Sequence, residues 1–149
     1  MKYLLDTNTV SDFYNCAATH HEAILQHFTL LKNTDELYIS VLSLYEIGYG
    51  LANAPENKKT QIHNQLDRMS QDFELLPLLP QSAALFGQLK KQLQDNRALN
   101  SKHMKKHNID LMLATTAITT GCTLVSADKG FIELQGLHVD LYLENWSND

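Results

Sequence analysis

Asp6, Glu46, Asp110 and Asp128 are carboxylates set among apolar residues, and they come from four separate stretches of the chain. Asp6 ends the short apolar run Tyr3 to Leu5, and Asp128 follows the run Thr123 to Val125. Both runs are too short for helices and read as buried strands. The carboxyl ends of strands are where open α/β sheets bind ligands. Asp110 falls in the first turn of a helix that Asn108 can cap, where the positive end of the helix dipole favours a carboxylate. Glu46 has apolar neighbours on both sides, in a helix running from Ser40 to Leu51. Carboxylates gathered at one sheet edge repel and raise one another's pKa. Hard divalent cations relieve that cost, because Mg2+ and Mn2+ prefer carboxylate and water oxygens. Such a site can acidify a water and stabilise a leaving oxygen at phosphorus. Asn8 and Ser126 can orient the carboxylates by hydrogen bonds.

Each acid also has a plainer reading. Asp6-Thr7-Asn8-Thr9 is turn and helix-cap chemistry. Glu46 can complete a capping box with Ser43. Asp12 reads as a solvated surface acid. A phosphatase with an aspartyl nucleophile would want a second Asp at position 8, which is Asn8. The seven histidines offer a metal-free alternative, a general base and a general acid, yet none falls at an expected strand end. His103 and His107 can share a helical face with Asp110 one turn on, but a zinc site there has no fourth ligand in sight. Lys102, Lys105 and Lys106 form the densest cationic run, just ahead of Asp110. They read either as a solvated loop or as a clamp on phosphates flanking the acid site.

The elements that must position these residues alternate along the chain. After the first strand come one or two helical turns from Val10 to Asn15. A helix follows from a Thr19-to-Glu22 capping box to about Lys32, with Ile24, Leu25, Phe28 and Leu31 inward. Leu37 to Ser40 is a second strand. Asn57 to Asp72 is a polar amphipathic helix with Ile62, Leu66, Met69 and Phe73 inward. Glu74 to Leu79 is an edge strand shortened by Pro77. Pro80 opens a helix to Asn96 with Leu85, Leu89 and Leu93 on one face. Arg97 to His107 has no apolar period. The Asn108 helix carries the stripe Leu113, Ala114, Ala117, Ile118 and stops at Gly121, a residue suited to positive φ. Leu137 to Leu143 reads as a last edge strand, with Trp146 closing the core. Strands alternating with helices predict α/β architecture: a mainly parallel sheet with helices on both faces.

At 149 residues the expectation is one domain, long enough to bury ~70% of its unfolded surface. Its 44% hydrophobic and 19% charged content is that of a globular protein. No apolar run approaches a membrane span, and Asp6 interrupts the first one, so the cytoplasm is the expected location. Cys16 and Cys122 lack metal-ligand spacing and read as idle thiols. The net charge of −5 disfavours a nucleic-acid partner, but less so if several acids hold cations.

Tyr3 to Asn8, Ile39-Ser40, Glu46 to Leu51, Asp110 to Ala114 with Ala117, Leu124 to Phe131 and Glu144 to Trp146 occur in one order from end to end. Together they resemble PIN-domain proteins, specifically the VapC-type ribonuclease toxins of bacterial toxin–antitoxin pairs. The resemblance implies a PIN-like three-layer sandwich over residues 1–149. It places the catalytic and metal-holding acids at Asp6, Glu46, Asp110 and Asp128. It implies Mg2+- or Mn2+-dependent endonucleolytic cleavage of RNA, often transfer RNA, a homodimer, and a cognate antitoxin that threads an element over the site. An inactive scaffold of the same family is expected to lack one of the acids, and none is missing. Three positions depart from the family pattern. Ser126 stands where Thr is usual, Ala127 where Asn is common, and Gly130 where an acid usually precedes the Phe, which leaves Asp128 the only acid of its loop. The segment from Glu46 to Asp110 is longer than in short members.

Overall fold

The run read from Tyr3 to Leu5 is β1 (Lys2–Leu5), the middle strand of a five-stranded sheet in the computed structural model, which describes residues 1–148. The chain continues through α1 (Thr7–Tyr14), α2 (His21–Thr29), β2 (Glu36–Ser40), α3 (Val41–Asn53), α4 (Glu56–Asp72) and β3 (Glu74–Leu76). Then follow α5 (Ala83–Arg97), α6 (Asn108–Thr120), β4 (Thr123–Val125), α7 (Gly130–Leu137) and β5 (Leu143–Glu144). The strand order is β3-β2-β1-β4-β5, and every pairing is parallel. Leu5 pairs with Ile39 on one side and Val125 on the other, so Asp6, Ser40 and Ser126 emerge side by side at the carboxyl edge. The chain leaves β1 in one direction toward β2 and later returns on its other side as β4. That reversal makes the β1–β4 edge the switch point where such sheets open a crevice.

Alternation along β1 divides the core into two layers. Tyr3 and Leu5 pack with Ile39 and Val125 against Val10, Ile24, Met69 and Trp146, beneath α1, α2 and α4. Leu4 and Leu124 face the opposite way, against Leu89 and Leu93 of α5, Leu111 and Ala114 of α6, and Phe131 and Leu134 of α7. Both faces of the sheet are covered, the three-layer α/β arrangement that the element order predicts. Each buried Leu or Ile contributes on the order of 1.5–3 kcal/mol relative to exposure.

The layers explain local departures from the sequence reading. The α6 helix is buried on more than its expected stripe, taking in Leu111, Thr115 and Thr116. Thr115 and Thr116 donate back to the carbonyls of Leu111 and Met112, so burial leaves neither hydroxyl unpaired. Gly121 ends the helix at φ 71°, a conformation that suits glycine. The helix starts within a continuing 3-10 turn (Lys105–His107), so Asn108 is its first residue and makes no cap bond. Its Oδ1 is buried and unpaired.

The Thr19 capping box does not form: α2 begins at His21 without a side-chain cap and ends at Thr29. Two turns precede it, with Ala18 N donating to Asn15 O and His21 N to Ala18 O, and the second encloses Thr19. The segment from Arg97 to His107 contains Met104, which joins two 3-10 turns and is fully buried in the core layer of α5 and α6.

Leu137 to Leu143 is not a strand. Leu137 ends α7, an element the sequence reading did not contain, and only Leu143–Glu144 pair with β4. Val139, placed in the apolar phase of that alternation, is 88% exposed. Trp146 does close the core, edge-on to Tyr3 and Phe28 and stacked on His27 at 5.4 Å. Trp146→Ala should therefore lower unfolding free energy by about 3–5 kcal/mol in a urea titration. A loss under about 1 kcal/mol would mean that the carboxyl-terminal segment does not support the sheet.

Candidate active site

Asp6 leaves the end of β1 and is only 5% exposed. It is the N-cap of α1, with Oδ1 accepting from Thr9 N at 2.8 Å. Its other oxygen accepts from the hydroxyl of Ser126, the residue emerging beside it from β4. Ser126 Oγ also accepts from Asp128 N at 3.0 Å, so one hydroxyl ties two acid-bearing loops together. Burial pushes the Asp6 carboxyl above its ordinary range; the bonds from Ser126 and Thr9 oppose the rise, and the charge of Asp128 adds to it. The helix-cap reading and the site reading of Asp6 thus describe one geometry.

Asp128 is exposed, on the loop between β4 and α7. Its Oδ1 accepts from Gly130 N at 2.8 Å. A Cβ at position 130 would stand 3.3 Å from that same oxygen. Glycine there relaxes a contact tighter than ordinary packing and leaves the loop with a single carboxylate.

Glu46 lies on the second turn of α3 and faces α1. The helix is capped by Ser40, whose Oγ accepts from Leu42 N at 3.1 Å, so Glu46 plays no part in a capping box. Instead Thr7 Oγ1 donates to Glu46 Oε1 at 2.5 Å and lies 2.9 Å from Ser43 Oγ. Ser43 is buried, and this hydroxyl pair fixes the carboxylate from two helices at once. The sequence motif contains Thr7 but gives it no role beyond turn chemistry, because its partner lies 39 residues away.

Asp110 lies in the first turn of α6. Burial first, then the charges of Asp128, Glu46 and Asp6, push its carboxyl up to about 6. The charges of the other three acids therefore all reach Asp110 at the carboxyl edge. Asn8 is exposed and lines a cavity of about 330 Å³ with Asp6, Asp12, His20 and Asp128. Among the described residues it makes no hydrogen bond to the acids; Thr7, Thr9 and Ser126 do that. A second cavity, about 390 Å³, opens on the other side of Asp128, lined by Arg97, Lys106, His107 and Asp110. Lys102 and Lys105 are exposed and do not line it. His103 and His107 fall on separate 3-10 turns, and His107 Nε2 lies 3.3 Å from Arg97 Nη1. Burial, Arg97 and Lys106 hold the His107 pKa below its ordinary value, which suits a neutral ring.

As the side chains stand, no three His, Cys, Asp or Glu residues among the described ones converge closely enough to hold a metal ion together. Asp6 and Glu46 are turned onto the hydroxyls that bond them. The donor set nonetheless fits a hard divalent cation: it is all carboxylate oxygen, and burial together with the charges of Asp128, Glu46 and Asp6 raises the Asp110 carboxyl, a cost that a bound cation would relieve.

The sign of the resulting pH dependence is fixed. The folded pKa of Asp110 lies above its unfolded value of ~4, so the native state binds the extra proton between about pH 4 and 6. Stability is lost as pH rises through that window, and the cost is complete above it. The site is partly open to water, so that cost is discounted to about 1 kcal/mol. In metal-free buffer, Asp110→Asn should be more stable than wild type by roughly this amount at pH 7.5 and no more stable at pH 3.5. Equal stability at both pH values would remove the electrostatic crowding.

Residues 3–137 match the PIN domain family model. The chain is 29% identical over 147 residues to Ribonuclease VapC2 of Rickettsia felis, covering 98% of each. Its structure is similar to a chain in the crystal structure of VapBC2 from Rickettsia felis bound to a promoter DNA fragment (TM-score 0.77, 26% identity, 98% of this chain and 99% of that one). VapBC-1 of nontypeable Haemophilus influenzae has a chain of the same fold, with TM-score 0.76 at 18% identity over 99% of this chain and 100% of the other. The sheet order and the end-to-end match agree: the chain belongs to the PIN domain family, and its full-length likeness is to VapC-type members.

Proposed function

We propose that residues 1–149 act as one PIN domain, a Mg2+- or Mn2+-dependent endoribonuclease toxin that cuts structured RNA, transfer RNA first among candidates. In this reading it works in the cytoplasm as a homodimer and is neutralised by a cognate antitoxin. The observation that carries the proposal is the convergence of Asp6, Glu46 and Asp128, from three other elements, on Asp110 at the carboxyl edge of the sheet, where their charges raise its carboxyl. The likeness to a protein named Ribonuclease VapC2 and to a VapBC2 complex supports the substrate class and the antitoxin. Tyr45 and Tyr49, 78% and 75% exposed one turn apart on α3, offer a face to a second copy.

The four carboxylates would hold the cation, which supplies positive charge against the phosphodiester and acidifies a water for attack at phosphorus. The chain's own residues set the geometry. Ser126 and Thr9 fix the Asp6 carboxylate, and Thr7 with Ser43 fixes Glu46. Asp110 and Asp128 border the cavity on the α6 side, where a strand can reach the edge. Attack by water forms the new P–O bond and breaks the bond to the 3′ oxygen, which takes the proton.

Purified protein incubated with a panel of structured RNAs should cut in Mn2+ and not in EDTA, leaving a 5′-phosphate and a 3′-hydroxyl. Asp6→Asn and Asp110→Asn should each lower cleavage by at least ~10²-fold and relieve growth inhibition while retaining the fold. Cleavage that persists in chelator, or a 2′,3′-cyclic phosphate at the cut, would transfer the chemistry to histidine. An intact chain that cuts none of the RNAs would be a binding scaffold.

A further inference from the structure

The two cavities that meet at Asp128 differ in charge. The one beside α1 is walled by Asp6, Asp12 and Asp128, with His20 at its rim. The one between α5, α6 and α7 brings Arg97 and Lys106 together with Asp110 and Asp128. Arg97 is held firmly: Nε donates to both Glu133 oxygens at 3.1 and 2.9 Å, and Nη2 also donates to Glu133. Asn96 Nδ2 donates to the same carboxylate at 2.9 Å, and Arg97 Nη1 faces His107 Nε2. A guanidinium has five N–H groups, so each terminal nitrogen keeps one donor for a ligand. Lys106 is exposed and forms no ion pair among the described residues. It stands four residues before Asp110, on the 3-10 turn that runs into α6, about one helical turn or ~6 Å along the axis.

We propose that this cavity seats a phosphate of the RNA strand flanking the cut, with Lys106 as its counter-charge and Arg97 as an oriented hydrogen-bond donor. Glu133 and Asn96 are positioning residues that aim the Arg97 fork. The proposal rests on the ribonuclease reading and adds to it the side of the acid cluster on which the strand is gripped. It narrows the cationic run to Lys106 and excludes Lys102 and Lys105, whose side chains lie away from the cavity. It also recruits Arg97, whose formal charge Glu133 cancels but whose donors remain directed. Charge on this side alone gives the strand a preferred path: phosphates toward α5 and α6, away from the acidic wall beside α1.

The test is fluorescence anisotropy with a labelled single-stranded oligoribonucleotide of mixed sequence, in EDTA across a salt series, so that neither metal nor cleavage enters. Lys106→Ala should weaken binding about fivefold and flatten the plot of log affinity against log salt by ~0.7. Arg97→Ala should weaken binding as well. Because it breaks an ion pair, its melting curve is recorded alongside, and the exposed Lys106→Ala remains decisive if it fails to fold. The double variant Lys102→Ala, Lys105→Ala should leave the slope unchanged. In Mn2+, Lys106→Ala should raise KM and leave kcat nearly unaltered, a split that a merely structural role would not produce. An unchanged slope in Lys106→Ala, an equal loss in the double variant, or a wild type that does not bind the oligonucleotide would overturn the subsite. A chain that binds in the expected pattern yet cuts no RNA in Mn2+ contradicts the ribonuclease reading alone. A chain that cuts while Lys106→Ala binds like wild type contradicts the subsite alone.

Discussion

Negative charge crowded at the carboxyl edge of β1 is the constraint on which the site depends. Asp6 is buried where a carboxylate is disfavoured, and the charge of Asp128 raises the cost further. The fold tolerates this because hydroxyls and a backbone amide, rather than cations, meet the buried oxygens. Ser126 and Thr9 serve Asp6, and Thr7 with Ser43 serves Glu46. These bonds hold the acids in place but do not neutralise them. Asp110, which has no such donor among the described residues, carries the clearest mark of the repulsion. A site that is positioned yet electrostatically unfinished is suited to a divalent cation and an anionic substrate.

The layers on either side of the sheet divide the work. Helices α1 and α3 supply the hydroxyl scaffold around Asp6 and Glu46, while α5, α6 and α7 supply Asp110 and the cationic wall beyond it. The β1–β4 switch joins the two halves through Ser126, whose hydroxyl touches Asp6 on one side and the Asp128 backbone on the other. A Ser in place of the Thr usual at this position in PIN proteins therefore keeps both bonds. Gly130 gives the Asp128 carboxylate room at a backbone amide, which accounts for its tolerance at a position where the family usually carries an acid.

Much of this was legible in the chain. Strand-end acids after Leu5 and Val125, the first-turn placement of Asp110 and the Gly121 stop all follow from local rules, and β1 and β4 are short apolar runs with clear boundaries. What escaped was set by tertiary contacts. The α7 helix is bounded by Gly130 and carries Gly136 near its end, so its sequence gives weak helical signal, while the following alternation of Leu and polar residues imitates a strand. Burial of Leu141 against the α5–α7 layer outweighs that pattern. Thr7 could not be assigned to Glu46 from spacing alone, because the two are 39 residues apart and meet only once α1 and α3 pack. Arg97 and Glu133, 36 apart, are hidden for the same reason.

The most direct measurement of the carboxylate cluster is a thermal melt of the apo protein titrated with Mn2+. A cation bound only by the native state adds RT ln(1 + [L]/Kd) to stability, so the melting temperature of wild type should climb steadily with concentration. Asp110→Asn, which removes one donor and part of the repulsion, should start higher at neutral pH and climb less. If both proteins climb equally, the cation binds elsewhere and the acids at the sheet edge are not a metal-holding site.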